Sequence, residues 1–361
     1  MSAGCPAPYA RQRKHRITVE GIRWIGMLIS MVVGGYAIYG YRAGRYRRLG
    51  LLIRLCLVTG VIVLLLDPSS VGFLWWLCRP EDWWLAALAF FNLVILGLLW
   101  CLVHNLSITR RQLGAFVRGL ARHQFEMENE RGSMEGAVAV VIPAYNEEST
   151  IPGVLSTLPV EVLGYPLVPI VIVDGASDST ERLVRDAGHM VASHLLNRGQ
   201  GDALRTGFEI ALAEGAIIVV TMDADGQHRP QDLLQLIAPV VNAEADYVMG
   251  SRFLGEYEDR GGARHVGIIC FSWLIRVLTG LEITDCTNGL RAIRASQLQR
   301  LELREDRFNA PELIIEAARK GLRICEVPVS ILSRAEGESK KPGRLRYALG
   351  FARTIIATWL R

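Results

Sequence analysis

The stretch V-V-T-M-D-A-D-G-Q-H-R-P, residues 219–230, decides how the chain is read. An apolar run from Ala216 to Met222 reads as a short buried strand and ends directly in Asp223-Ala224-Asp225. In an open α/β sheet, ligands collect at the carboxyl ends of the strands. Residues two apart on an extended segment point the same way. Asp223 and Asp225 are therefore expected to aim two carboxylates at one point, with Gln227 adding a third oxygen if the chain stays extended. Oxygen-only ligands suit a hard cation, Mg²⁺ or Mn²⁺, and a cation held there would neutralise a diphosphate. A lone D-x-D is more often a surface turn, so the reading rests on its neighbours.

Upstream, Ala137 to Ile142 is a continuous apolar run, as a parallel strand buried on both faces requires, and Pro143-Ala144-Tyr145-Asn146-Glu147-Glu148 follows it. A second strand, Val168 to Val173, leads into Asp174-Gly175-Ala176-Ser177-Asp178-Ser179-Thr180. Asn197-Arg198-Gly199-Gln200-Gly201 is a glycine-rich entry to a helix, and no G-K-[ST] follows it, so it is not a P-loop. Downstream, Asp246 to Gly250 leads into Ser251-Arg252. Each loop has a plain structural reading: close helix packing for the glycines, a helix cap for Asp174, a dipole partner for Glu147. Together they put acids and glycines after successive strands, which describes an α/β doubly wound core with its site on the crest of loops.

The chain has 361 residues, half of them hydrophobic, and a net charge of +4. Apolar residues pile up before residue 107, and the arginine excess sits in the N-terminal third and the last twenty residues. That distribution argues against nucleic-acid binding and suits an anionic lipid surface. A basic tail, 1–20, precedes a membrane region, 21–107, with spans expected at 22–41, 50–66 and 84–104. Arg42, Arg45, Arg47 and Arg48 stand between the first two runs and Asp67, Glu81 and Asp82 between the next two. By the positive-inside tendency this places the chain as a multi-pass protein of the cell membrane with its catalytic part in the cytoplasm. The basic residues at 11–16 run against that scheme. Residues 108–136 read as a cytoplasmic linker. The seven cysteines, with no C-x-x-C, indicate neither a disulfide framework nor a zinc site.

Seven blocks in order, V-I-P-A-Y-N-E-E, V-I-V-D-G-A-S-D-S-T, N-R-G-Q-G-D-A, D-A-D-G-Q-H-R-P, G-S-R-F, D-C-T-N-G-L-R and R-A-E-G-E-S-K, carry a resemblance. The chain resembles glycosyltransferase family 2, within it the dolichyl-phosphate mannose synthase and polyprenyl-phosphate glycosyltransferase group. The resemblance covers 137 to about 341, and the N-terminal part looks like the small three-helix membrane domains found with such enzymes. It implies a GT-A-type nucleotide-sugar-binding domain over 137–335. Pro143, Tyr145, Glu147, Ile172 and Asp174 would hold the base and ribose of a GDP- or UDP-hexose. Asp223, Asp225 and Gln227 would hold the metal, with Ala224 lining the donor site. Arg252, Arg334 and Lys340 would meet phosphates, Asp223, Asp225 and Arg252 would be the catalytic set, and Arg291 would meet the acceptor phosphate. Two departures stand out: Thr287-Asn288 where Ser-Gly is commoner, and Gly175 where the family usually has a second Asp.

The activity implied is metal-dependent, inverting hexose transfer to a polyprenyl phosphate. On the acceptor side, Val266 to Leu281 reads as an interfacial helix or an ordinary core helix. Glu312 and Glu316 share a helix face expected to shape the sugar pocket. Segment 336–361 reads as a basic loop, expected to close over the diphosphate, and a helix on the membrane surface. Alternatives are a transferase with a saccharide or other lipid acceptor, and a non-catalytic nucleotide-sugar-binding scaffold. A homo-oligomer or a flippase are candidate partners.

Overall fold

The structure is a computed structural model that describes residues 26–39, 54–59, 62, 83–255, 262–332 and 344–361. Contacts divide the chain into two units, Met1–Ser107 with Leu360–Arg361, and Ile108–Trp359.

In the first unit, residues 26–39 and 54–59 are helical. Helix α1, Trp83–Glu128, begins in this unit. It exposes Phe91, Leu96, Leu98, Leu102 and Val103. Among the described residues no helix is long and apolar enough to cross a membrane. The three expected spans are therefore not found there, and most of 50–66 lies outside the described residues.

Among the described residues the second unit has eight strands: β1 (Val138–Ala144), β2 (Glu161–Val162), β3 (Tyr165–Asp174), β4 (Met190–His194), β5 (Ile218–Thr221), β6 (Tyr247–Ser251), β7 (Arg291–Arg294) and β8 (Ile324–Pro328). The sheet order is β2-β3-β1-β5-β7-β6-β8, with β4 pairing β3. Alternate residues of the central strands feed two cores. Ala139, Val141, Ile170 and Ile172 pack on one face, beneath α4 (Gln200–Ala213). Val138, Val140, Ile142, Val171 and Val173 pack on the other, beneath α2 (Ile151–Thr157), α3 (Thr180–Asp186) and α5 (Asp232–Val241). Burial on both faces explains why these strands read as unbroken apolar runs.

The sheet is mixed rather than wholly parallel. β7 runs antiparallel to both β5 and β6. This reversal matters for the site: the amino end of β7 lies beside the carboxyl ends of β5 and β6. Residues 287–291, Asp223 and Arg252 thereby reach one edge.

The C-terminal helices are α6 (Ala263–Thr279), the short α7 (Ala295–Leu298), α8 (Asn309–Arg319) and α9 (Arg344–Trp359). α6 has one buried and one exposed apolar face. Ile268, Ser272 and Ile275 are buried, whereas Val266, Ile269, Trp273 and Val277 are exposed. α9 is not a free surface helix. Phe351, Thr354, Ile355 and Thr358 are buried, the Phe351 ring sits 4.8 Å from that of Phe271, and Trp359 Nε1 donates to Leu278 O.

The expected linker, 108–136, is also part of the packed unit. Residues up to Glu128 continue α1, and Val117, Ala121 and Phe125, four apart, are buried. The buried Asp202 carboxylate joins this helix to α4. It meets Arg118 at 2.5 Å, Arg205 at 2.6 Å and Arg198 at 3.2 Å. Burial opposes its charge, yet Arg205 and Arg118 hold its pKa below the usual carboxylate range.

Candidate active site

The apolar β5 strand stops at Thr221, and the Met222 N–H still donates to Val141 O. The chain then turns. Asp223 and Asp225 are brought together by a turn at Ala224–Asp225, with Gly226 at φ +72°, and not by the extended segment expected. Both carboxylates line a cleft of about 730 Å³ at the carboxyl edge of β1, β5 and β6.

Asp223 is gripped from several sides. Its Oδ1 accepts from Gln200 Nε2 at 2.8 Å. Its Oδ2 lies 3.7 Å from His228 Nε2, and the side chain stays 32% exposed. A Cβ at Gly289 would fall 2.6 Å from Oδ2, so only glycine leaves the carboxylate its place. Gly289 is fixed in turn, because its carbonyl accepts from Thr221 Oγ1 at 2.6 Å. Asp225 is nearly buried, and its Oδ1 accepts from the Gln227 amide N–H.

These residues fit a hard divalent cation. Two carboxylates line one cleft, and Gly289 presents no side chain to displace Asp223. Gln227 Nε2 donates to Leu332 O, so only its oxygen can serve a cation. Among the described residues no group of three or more His, Cys, Asp or Glu is gathered to hold a metal. The oxygen donors that the cleft offers a hard cation are thus the carboxylates of Asp223 and Asp225 and the side-chain amide of Gln227.

Arg252 follows β6 and also lines the cleft. Its Nε donates to Asp285 Oδ2 at 2.6 Å and an Nη to Thr287 Oγ1. Asp285 is fully buried and its backbone N–H donates to Glu326, so the guanidinium has a fixed seat. Pro143, Tyr145, Glu147, Asp174 and Ala224 line the same cleft. Asn146, in the left-handed region at φ 52°, accepts from the Ser177 N–H through its Oδ1, tying the loop after β1 to the loop after β3.

Four expectations are corrected. Ile172 is fully buried in the core beneath α4: it shares a face of β3 with Asp174 but sits two residues further back from the strand's carboxyl end, where the helix covers it. Arg291 is 1% exposed and its guanidinium serves the fold. It donates to Asn288 O, Cys286 O, Ala310 O and Tyr247 Oη, leaving one of five N–H groups for an acceptor phosphate. Glu312 accepts from the Arg304 and Glu305 amides and shapes that turn rather than a sugar pocket. Glu316 is buried against Arg319. Arg334 and Lys340 lie outside the described residues, as does the loop expected to close over the diphosphate.

Sequence reasoning missed Gln200, Gly289 and Asp285, although each stands inside a quoted block. The signal was there as position within a block; what was absent was the reversal of β7. It also missed the aromatic wall of Phe308, Tyr347 and Phe351, which comes from segments far apart in the chain.

A mixed sheet with a D-x-D turn and an arginine at one edge is the arrangement of a GT-A-like α/β glycosyltransferase fold. The structure superposes with a TM-score of 0.50 on glucosyl-3-phosphoglycerate synthase from Mycobacterium tuberculosis, solved with Mn²⁺, UDP-glucose and phosphoglyceric acid. The match is 22% identical and covers 63% of this chain and 81% of that one, and it shows the fold alone. Residues 139–301 match the model of Glycosyl transferase family 2. The chain is 33% identical over 217 residues to a UDP-N-acetylglucosamine–dolichyl-phosphate N-acetylglucosaminyltransferase of Methanococcus voltae, covering 54% of this chain and 85% of that protein. It is 33% identical over 236 residues to an undecaprenyl-phosphate mannosyltransferase of Micrococcus luteus, covering 62% and 93%. The chain belongs to glycosyl transferase family 2.

Proposed function

We propose that this chain transfers a hexose, with inversion, from a GDP- or UDP-hexose to a polyprenyl phosphate, using Mg²⁺ or Mn²⁺. The observation that carries the reading is the meeting of Asp223, Asp225 and Arg252 on one cleft. Two carboxylates suit a cation, and a cation beside a fixed guanidinium suits a diphosphate. The names of the relatives from Methanococcus voltae and Micrococcus luteus favour a lipid phosphate acceptor.

The acceptor chemistry needs no dedicated base. A phosphate monoester has a second pKa near 6, so at neutral pH its oxygen is already largely anionic. That oxygen forms the new bond to C1 of the hexose as the bond from C1 to the diphosphate oxygen breaks. The electron pair leaves with the nucleoside diphosphate, and attack opposite the leaving group inverts C1. A bound divalent cation supplies electrostatic stabilisation of the departing diphosphate. Asp223 and Asp225 would hold that cation, and Gln200 and Gly289 keep Asp223 in place. Arg252, seated on Asp285, faces the developing negative charge. Arg334 and Lys340 complete the phosphate contacts in this reading.

The reading includes attachment to the cell membrane with the catalytic unit on the cytoplasmic face. The exposed apolar side chains of α1 between Phe91 and Leu106 support attachment, and the arginines at 42–48 support the orientation. Val266, Ile269, Trp273 and Val277 form an apolar strip on α6, whose Phe271 packs on the cleft-lining Phe351. That strip suits a polyprenyl chain arriving along a lipid surface.

The test is to incubate membranes containing the chain with labelled GDP- and UDP-hexoses and polyprenyl phosphate. A labelled product extractable into organic solvent, dependent on added polyprenyl phosphate, is expected. Label appearing only in water-soluble saccharide would overturn the acceptor assignment.

A further inference from the structure

The family resemblance makes Asp174 a ligand of the donor's ribose, but the carboxylate is already occupied. Its Oδ1 meets His194 Nδ1 at 2.7 Å and accepts from the Arg198 amide at 2.9 Å. Its Oδ2 accepts from the Gly199 amide at 2.6 Å and shares the Arg198 amide at 3.1 Å. Three donors, one of them shared between the two oxygens, thus engage both sides of the carboxylate. Asp174 is 3% exposed and the His194 side chain fully buried.

His194 stands opposite Asp174 in the β3–β4 register. Its Nε2 lies 2.7 Å from Thr206 Oγ1, on α4. The ring is therefore held at both nitrogens, with one aimed at the carboxylate. Gly175 completes the seat. At φ +66°, a Cβ there would fall 2.3 Å from the Asn197 nitrogen and 2.5 Å from the Leu196 carbonyl carbon. The segment 196–199 thus occupies the space that a second acid would need.

From this seat the chain runs into Gln200. Gly201 N–H donates to Asp306 O at 2.7 Å, pinning the far side. Gln200 Nε2 then reaches Asp223 Oδ1. A continuous series of contacts leads from Thr206 through His194, Asp174, the Arg198 and Gly199 amides and Gln200 to the carboxylate that faces the cleft.

We propose that Asp174 and His194 are positioning residues that act through Gln200 to set Asp223, and that Asp174 does not bind the donor's ribose. This rests on reading the cleft as the donor site, but its first test needs no ligand. Amide hydrogen exchange is measured on the free full-length chain. Asp174→Asn and His194→Ala should each speed exchange at Arg198 and Gly199 by about tenfold or more. His194→Asn, whose amide can replace the Nδ1 donor, should restore protection and serves if the other variants fold poorly. Gln200→Ala should leave that protection unchanged and lower kcat about tenfold, with the donor KM shifting far less.

A second readout is binding of UDP, GDP and their 2′-deoxy forms with Mn²⁺. The ratio of ribo to deoxy affinity should be the same in the wild type, Asp174→Asn and His194→Ala. Unchanged exchange at Arg198 and Gly199 in Asp174→Asn, together with loss of the ribo preference, would overturn the proposal. Failure of hexose transfer to lipid phosphate would leave the exchange result standing and would count against the functional reading alone.

Discussion

Asp223 shows how much of this site depends on what surrounds one carboxylate. Gln200 holds one oxygen, His228 stands near the other, and Gly289 is flush against both. Gly289→Ala should therefore fold, since its neighbours need only shift locally, yet push Asp223 off its position. A misplacement of about 1 Å costs roughly 100-fold in rate, so turnover should fall by about that factor while the melting temperature stays within a few degrees. Steady-state kinetics with a thermal melt checks both. A second residue, Cys286, three before Gly289, is buried, and burial pushes its thiol up to about 12. It should resist iodoacetamide at pH 8 in the folded chain, while the exposed Cys270 reacts; mass spectrometry of the peptides reads the difference. That Asp223, Asp225 and Arg252 share one cleft was legible because they sit in short contiguous motifs behind apolar strands. The engagement of Asp174 was not, because its partners come from His194 and from two backbone amides whose directions no side chain announces.

Among the elements, the apolar strands β1, β3 and β5 were legible, and β4, β7 and β8 were not. β7 reads Arg291-Ala-Ile-Arg294, a pattern that does not look buried, yet it lies mid-sheet. Tyr247 and three carbonyls absorb the Arg291 guanidinium, which makes a charged residue tolerable there. Beside it, the start of β6 is joined to β8 by Asp246. Hydrogen bonds from Arg323 hold the Asp246 carboxyl at about 2, against an ordinary 3.8. The unfolded chain therefore takes up this proton at a higher pH than the folded one. The pair should stabilise fully above about pH 4 and lose its contribution as pH falls towards 2. The gap in melting temperature between wild type and Arg323→Gln should be constant from pH 7 to 4 and close below that. The α1–α4 contact makes a different prediction. Asp202→Ala leaves Arg118, Arg198 and Arg205 around an empty place, and breaking a buried ion cluster costs about 3 kcal/mol or more. Urea unfolding should show that loss.

For the molecule as a whole, the sequence points to membrane spans and to an α/β unit carrying a metal-dependent donor site; no such span is found among the described residues, and the α/β unit differs mainly in having a mixed sheet. Residues 108–128 and α9, read as linker and surface helix, pack into that unit because each has a second, buried face: Val117, Ala121 and Phe125 on one, Phe351 and Ile355 on the other. A sequence scan weighted by charge sees their arginines first. The central claim is that Asp223 and Asp225 share a cation that binds the donor's diphosphate. Calorimetric titration of UDP and GDP into the full chain, with Mn²⁺ and then with EDTA, tests it most directly. The account predicts binding of at least one diphosphate that needs Mn²⁺ and falls by about 100-fold or more in Asp225→Asn. Binding of equal strength with and without the metal, unchanged by Asp225→Asn, would contradict it.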